Sequence, residues 1–475
     1  MAAIVTNKFR LHNAEQFYES FSEASTSYYL YVGRPQPWTS TTPYGGGSDT
    51  QPPTPLDNVD DEYMYFRDML AAKRIAAADI QYAIPRHNWV SGTAYDYYRG
   101  DYGAQWSSNS ANIVKTENDG TNLWASTTLF YVLSSLNNVY KCMWNNGGAA
   151  STEEPTGTSN SETTAGADGY IWKYMYSLTT TQITDFLTAD FMPVATNSTV
   201  SGAAVDGAVR HYKVMAGGSG YTVGSFPNQT LRGDSAVRGG TDATFTVTVS
   251  GGAVTSVVAV NAGSKYTFAD CNIDNISGIG AGTGAIVTPI IGPPGGHGFN
   301  AINELGGFYV MTNTTISGTE GSGDFVVDQD FRRVGMVLNP YNYGTSTIAT
   351  ASTLNALKSM TFSGTPGAFL PDEAISAPSG AKGIVVAFDS TTKILKYIQT
   401  QWTGVKTTAG ATQGNEIAFA ASDVVTSDSA ATGTIASLTN PEIAYYTGQG
   451  IYVEDRAPIS RATDQTENIK LIVEF

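Results

Sequence analysis
Four histidines, two cysteines and a scatter of adjacent carboxylates are the residues of this chain whose types could support catalysis or metal binding. His12, His87, His211 and His297 stand 75 or more residues apart, and none has a second ligand type at the short spacing of a zinc motif. Structural or surface histidines are the expectation. Cys142 and Cys271 form no C-x-x-C pair, which predicts two buried free thiols rather than a disulfide or a cysteine zinc site. Gly280-Ala-Gly-Thr-Gly-Ala fits G-x-G-x-x-A in letters only. No helix follows it and no βαβ unit encloses it, so these are turn glycines. A phosphate-binding G-x-x-x-x-G-K-[ST] loop is absent. The carboxylate pairs Asp60/Asp61, Glu153/Glu154 and Glu454/Asp455 are sequence neighbours, whose side chains diverge on a strand or helix and do not face one another as an acid/base pair. Arg232-Gly-Asp in a glycine-rich stretch reads as a turn. No catalytic residue, cofactor site or metal site is expected, and the chain is read as a non-enzyme.

What stands out instead is arginine close to tryptophan. Gly33-Arg-Pro-Gln-Pro-Trp38 and Pro85-Arg-His-Asn-Trp89 each place a guanidinium three or four residues before an indole, a pairing that favours stacking. Arg34, Trp38, Arg86 and Trp89, together with Trp172, Asp455 and Arg456, are the candidate framework or interface residues. Arginine and tryptophan are hot-spot types at protein interfaces. Proline-framed loops near strand ends also pack inward, so an internal brace is the preferred reading, with Asp455–Arg456 as a local ion pair.

These residues must be positioned by a chain poor in charge. Only 14% of its 475 residues are charged, against about 25% in ordinary soluble domains. Glycine (50) and tyrosine (27), with much Thr, Ser and Asn, suit short strands and many turns. The net charge of −16 repels phosphate backbones and anionic lipid heads, so neither a nucleic-acid partner nor membrane association is expected. Met1 to Arg10 holds no apolar signal region, and no apolar run nears the about 18 residues of a membrane span. Synthesis in the cytoplasm without a membrane address follows as an expectation.

Ala3–Arg10 reads as a strand, His12–Phe21 as a helix with Asn13 at its N-cap, and Tyr28–Gly33 as an aromatic strand. Thr39 to Asp57 is a turn-rich loop. Asp60–Ile75 predicts a helix, acidic at its start and basic at its end, with Tyr63, Phe66, Met69, Leu70 and Lys73 on one face. Ala149–Gly169, small and polar, predicts a long mobile loop, and Tyr170–Tyr176 a strand. Near residue 200 leucine almost disappears. Gly218-Ser-Gly-Tyr-Thr is echoed by Gly263-Ser-Lys-Tyr-Thr, with a hairpin over 243–260 between the copies. Ala381-Lys-Gly-Ile-Val is echoed by Ala431-Thr-Gly-Thr-Ile. Residues 205–296 and 362–437 are therefore expected to be small inserted all-β domains, each built by duplication. The framework comprises 1–204, 297–361 and 438–475. Gly450–Pro458 and Ile469–Phe475 are read as its last strands.

Seven segments of the framework, in order, resemble the baseplate wedge subunit family of T-even-type contractile-tailed phages, the gene eight product. They are Ala3–Arg10, Val32–Ser40, Ala83–Trp89, Val139–Cys142, Asp168–Tyr174, Phe331–Pro340, and Ile451–Ile459 with Asp464–Phe475. The resemblance implies a mainly β protein, a layered β-sandwich with helix-bearing loops, to which the two inserts are additions. It implies a structural role in the virion tail baseplate, bridging other baseplate wedge subunits during tail assembly, and a homodimer as the building unit. Dense aromatics at Tyr28–Tyr31, Tyr63–Phe66 and Tyr95–Tyr102 fit such an interface. The alternative reading is a tail receptor-binding adhesin that contacts the host surface through its inserts. A third, a polysaccharide-degrading tail enzyme, has no site in the sequence.

Overall fold
The computed structural model describes residues 5–39, 46–100, 104–109, 112–118, 123–125, 127–316, 325, 329–400, 417–460 and 466–475. It is mainly β, as expected: many short antiparallel sheets, one closed barrel and a few short helices. The chain divides into two compact units. One comprises 1–15, 81–311 and 472–475, the other 16–80 and 312–471.

In the first unit, four antiparallel strands form the central sheet, in the order Tyr131–Leu133, Asn138–Asn145, Tyr170–Ser177, Glu162–Thr164. The Tyr170 strand was expected. It is buried over most of its length because aromatic side chains point to both faces. Phe130, Tyr140, Tyr170 and Trp172 form the core, with the Tyr170 and Trp172 rings stacked 5.6 Å apart. The expected mobile loop at 149–169 is held down instead. Asp168 accepts hydrogen bonds from the Thr152, Glu153 and Tyr170 amides (3.0, 3.2 and 3.0 Å) and from the Ser151 hydroxyl. Glu154 takes the Ser135 amide and hydroxyl, and the segment adds the edge strand Glu162–Thr164. One carboxylate gathering several donors over a short span organises a loop that composition alone marks as structureless.

Residues 209–291 enter and leave the first unit through paired strands, with Val209 opposite Ile291. The 243–260 hairpin is present, Thr244–Ser250 against Ala253–Asn261, turning on Gly251 and Gly252, both at positive φ. The sequence echo is structural. Gly218 and Gly263 are left-handed, and a Cβ on either would lie 2.5–2.6 Å from a backbone amide, Ala285 N or Ala243 N. Three residues later Tyr221 and Tyr266 are buried, and their hydroxyls accept hydrogen bonds from those same amides, at 3.1 and 2.8 Å.

The second unit is built on a five-stranded antiparallel sheet, in the order Thr353–Asn355, Met69–Arg74, Tyr28–Gly33, Asp330–Leu338, Gln449–Ser460. The expected helix over Asp60–Ile75 is shorter. Asn58 receives the Asp61 amide at its start, the helix spans Val59–Arg67, and Met69–Arg74 is a strand. Leu70, Ala71 and Ala72 satisfy a helical period, but pairing with Tyr29–Val32 buries both of their faces and overrides propensity. The Tyr63 side chain lies outside the described residues. The Tyr31 ring lies over Gly335 on the neighbouring strand, where a Cβ would stand 2.2 Å from the ring. The chain also carries a helix at Asn7–Ser20 where a strand was expected to Arg10. Thr6 receives the Phe9 amide on its hydroxyl and the Phe9 and Arg10 amides on its carbonyl, so the helix begins there and Asn13 lies inside it.

Residues 358–439 of the second unit form the closed six-stranded barrel. Its first and last strands pair Ser359 with Thr439, and residues 401–416 lie outside the described residues. The echoed segments are its two hairpins, Ala374–Ser376 with Lys382–Asp389 and Val424–Ser427 with Thr432–Thr439. Each is preceded by a left-handed residue, Asp372 or Ser422. Phe362 stacks on Phe369 in the barrel core. The aromatic runs Tyr28–Tyr31 and Tyr95–Tyr98 are buried within their own units and offer no dimer surface; Tyr102 lies outside the described residues.

Asp168 is held below the usual carboxylate range: burial raises its pKa, but the hydrogen bonds from the Tyr170, Thr152 and Glu153 amides outweigh it. A depressed folded-state pKa contributes stability that is present above the unfolded value, about 3.9, and lost as pH falls through the folded one. Asp168→Asn should therefore expose 149–169 to limited proteolysis at pH 7, with cleavage mapped by mass spectrometry. Wild type should show the same cut only once the pH falls below the ordinary aspartate range, about 3.9. Equal resistance of the two proteins at pH 7 would contradict the carboxylate's role.

Candidate functional site
Four of the candidate residues meet in the second unit, at the level where the chain leaves strand Tyr28–Gly33. Gly33 lacks a Cβ, which lets it approach the Asp68 carbonyl; a Cβ would stand 2.8 Å from it. Arg34 follows with φ 55°, donating its amide to that carbonyl. Register does the rest. Gly33 faces Arg333 on one side and Met69, next to Asp68, on the other, while Arg333 faces Asp455.

Arg333 is fully buried and grips Asp455 with two parallel hydrogen bonds, Nε to Oδ1 at 2.6 Å and a terminal nitrogen to Oδ2 at 3.0 Å. Arg333 and Arg34 both lie 3.6 Å from one oxygen of Asp68. Both guanidinium groups stack on Trp38, 5.1 Å from the ring for Arg34 and 5.5 Å for Arg333, and Arg333 also covers Tyr65 at 4.5 Å. The Trp38 indole N–H donates to the Arg456 carbonyl at 3.0 Å. Beside this, Arg332 binds Asp49 through two bonds (2.9 and 3.0 Å) and Asp330 through a third, which ties down the turn-rich loop. Two arginines, two carboxylates and an indole are thus packed as a brace. Asp68 and Asp455 raise the Arg333 pKa, opposing the burial that lowers it, and the group stays charged.

Arg34 does stack on Trp38, as the spacing suggests. Asp455 does not pair with Arg456: its partner is Arg333 across the sheet, and Arg456 reaches Glu454 at 3.9 Å. Neighbours on a strand point to opposite faces, so a local pair was geometrically poor. In the first unit Arg86 and Trp89 do not stack. Arg86 binds Asn88 and the Thr188 carbonyl, and Trp89 donates to Ser151. Trp172 is a core residue, opposite Cys142, with its indole N–H unpartnered. Both cysteines are buried free thiols, as expected. Among the described residues no group of three or more His, Cys, Asp or Glu side chains is placed to hold a metal ion. No described helix is long and apolar enough to cross a membrane.

Lys141 and Glu304, buried partners in the first unit, were not singled out from the sequence. Glu304 also accepts from the Gly298 amide at 2.8 Å and from Asn300. Burial pushes the Lys141 pKa down, and Glu304 counters it. The available signal was a lysine inside an aromatic strand, Val139-Tyr-Lys-Cys; likewise Phe331-Arg-Arg-Val put arginines inside an apolar one.

Replacing Arg333 with Met strands Asp455 in a dry site and leaves Asp68 to Arg34 alone, and should destabilise the second unit by about 3–5 kcal/mol. The double variant Arg333→Met/Asp455→Leu should recover part of that loss, because a buried pair replaced by apolar groups is far less costly than a broken one. Urea denaturation of the two variants decides it. A double variant less stable than the single one would show that Asp455 is held by other partners.

A family model described as Bacteriophage T4, Gp8 matches residues 3–206. A curated relative, baseplate wedge protein gp8 of Enterobacteria phage T4, is 27% identical over 188 residues, covering 37% of this chain and 55% of the relative. The chain spans about half the length of the curated relative it matches. The match ends at residue 206, and Arg34, Trp38, Arg86, Trp89 and Trp172 fall inside it while Arg333, Asp455 and Arg456 do not. The resemblance read from the sequence is borne out over residues 3–206, which are similar to Gp8 of the T4 baseplate wedge.

Proposed function
We propose that the protein is a structural subunit of the baseplate wedge in a contractile phage tail, made in the host cytoplasm and resident in the virion, and that it is not an enzyme. The match of residues 3–206 to the Gp8 family carries this reading. Brace residues locked to one another suit a part that must hold its shape under load, since a buried bidentate pair fixes geometry. Arg34 and Trp38 act in it as framework rather than as partner anchors. Its partners are other baseplate wedge subunits. A homodimer as building unit rests on the resemblance and on the prevalence of two-fold symmetry among oligomers.

The inserted domains, 205–296 and 362–437, are additions to this framework that decorate the virion and contact neighbouring tail parts or the host surface. In support, the first exposes the apolar side chains of Val223, Val258, Val260 and Phe268. Each also enters and leaves through one antiparallel pair, so its ends are neighbours.

Phage lacking the gene should assemble incomplete baseplates and no contractile tails, and labelled protein should localise to the wedge in electron micrographs. Complete infectious tails formed without it would reject the scaffold role and bring the adhesin reading forward. Light scattering of the isolated chain should give a dimer at micromolar concentration; a monomer throughout would remove that part alone. Replacing 209–291 or 358–439 with a short Gly/Ser linker should leave the rest folded, because loop closure depends weakly on length. Loss of cooperative unfolding in the remainder would show that the insert is part of its core.

A further inference from the structure
Three strands of the first unit's sheet place a row of charge on one face: Lys141 opposite Lys173, and Lys173 opposite Glu162. Like charges directly opposite repel. Lys141 is neutralised by Glu304. Glu162 is engaged elsewhere, 2.9 Å from His211 Nε2 and 3.2 Å from Arg210 Nε. Burial raises the Glu162 pKa, but the His211 and Arg210 contacts outweigh it and hold it low. Lys173 is left with the Asn160 carbonyl as its acceptor. It is 5% exposed, and among the described residues no carboxylate lies within ion-pairing distance of its ammonium. A buried charge without a counter-charge is costly.

Lys173 lines a cavity of about 100 Å³ with Arg210, Glu162, Asn160, Ser161 and His297. His297 is 7% exposed, lies edge-on to Tyr98 at 4.8 Å, and its Nδ1 has no protein partner. Burial and the nearby Lys141, His211, Arg210 and Lys173 all oppose its protonation. A neutral imidazole offers one N–H donor. The cavity therefore gathers an ammonium, a guanidinium and an imidazole, with the Glu162 carboxylate turned to Arg210 and His211, around a space too small for a side chain of another protein with its backbone, but large enough for a tetrahedral ion.

The geometry points to a binding site for a small inorganic oxyanion, of the phosphate or sulfate class, held by Lys173, Arg210 and His297. The ion supplies a direct counter-charge to Lys173, which Glu162 and Glu304 otherwise reach only through space. It also ties strand Tyr170–Ser177 of the framework to strand Val209–Ser219, which carries Arg210. This inference does not depend on the baseplate reading.

The full chain, titrated with inorganic phosphate and separately with sulfate, is compared with chloride at matched ionic strength by calorimetry and thermal unfolding. Phosphate and sulfate are expected to bind one per chain and raise Tm where chloride does not. Arg210→Gln, at a partly exposed position that tolerates the change, should weaken binding about tenfold or more. Lys173→Met, which keeps the stem, should abolish it. No heat and no Tm shift beyond that of chloride would overturn the proposal and leave a water-filled cavity. Binding that survives Arg210→Gln unchanged would also overturn it, marking an adventitious ion only; that arm decides the matter even if Lys173→Met does not fold.

Discussion
A guanidinium removed from water must be matched by carboxylates and hydrogen bonds, or the fold that buries it does not form. Arg333 imposes that condition on the second unit. Its two bonds to Asp455 fix the register of strands Asp330–Leu338 and Gln449–Ser460, and the approach of Asp68 fixes where Met69–Arg74 begins against Tyr28–Gly33. A one-residue slip on any of these strands would turn a charge toward the apolar face. Trp38 and Tyr65 close over the guanidinium groups, so the loops that carry these rings are held by the same contact.

The first unit meets a similar condition with lysine. Lys141 and Lys173 sit opposite one another in a sheet whose other face is filled by Trp172 and Cys142. Glu304, from the short helix Ala301–Leu305, reaches in to neutralise the first and is itself held by backbone amides. Ammonium is a compact charge with rotatable donors, whereas guanidinium presents a rigid fork. That difference accords with a cavity beside Lys173 and close-packed rings around Arg333.

The regions with small cores rely on a different device. In 209–291 a left-handed glycine and a buried tyrosine are used twice, each tyrosine hydroxyl capturing an amide near the start of a strand. In the barrel, two hairpins each follow a left-handed residue and pair with one another before the remaining strands close the circle. Repetition of a locally determined turn lets chain with few long apolar runs specify a β structure, since each copy needs only its own backbone bonds and one aromatic plug.

Local chemistry was therefore legible from the sequence. Strand Tyr28–Gly33, strand Tyr170–Ser177, the Gly251-Gly252 hairpin, both echoes, the free thiols and the Arg34–Trp38 stack depend on residues near one another in the chain, and the sequence determined them. The phage-family resemblance was likewise carried by short ordered segments. Tertiary structure decided the rest. Met69–Arg74 is a strand because Tyr29–Val32 lies beside it, 149–169 is ordered because Asp168 folds back on three amides, and Asp455 turned from its neighbour Arg456 to Arg333, 122 residues away. Such partners are chosen by strand register and by the cost of leaving a buried charge unmatched, and neither quantity exists until the sheets have formed.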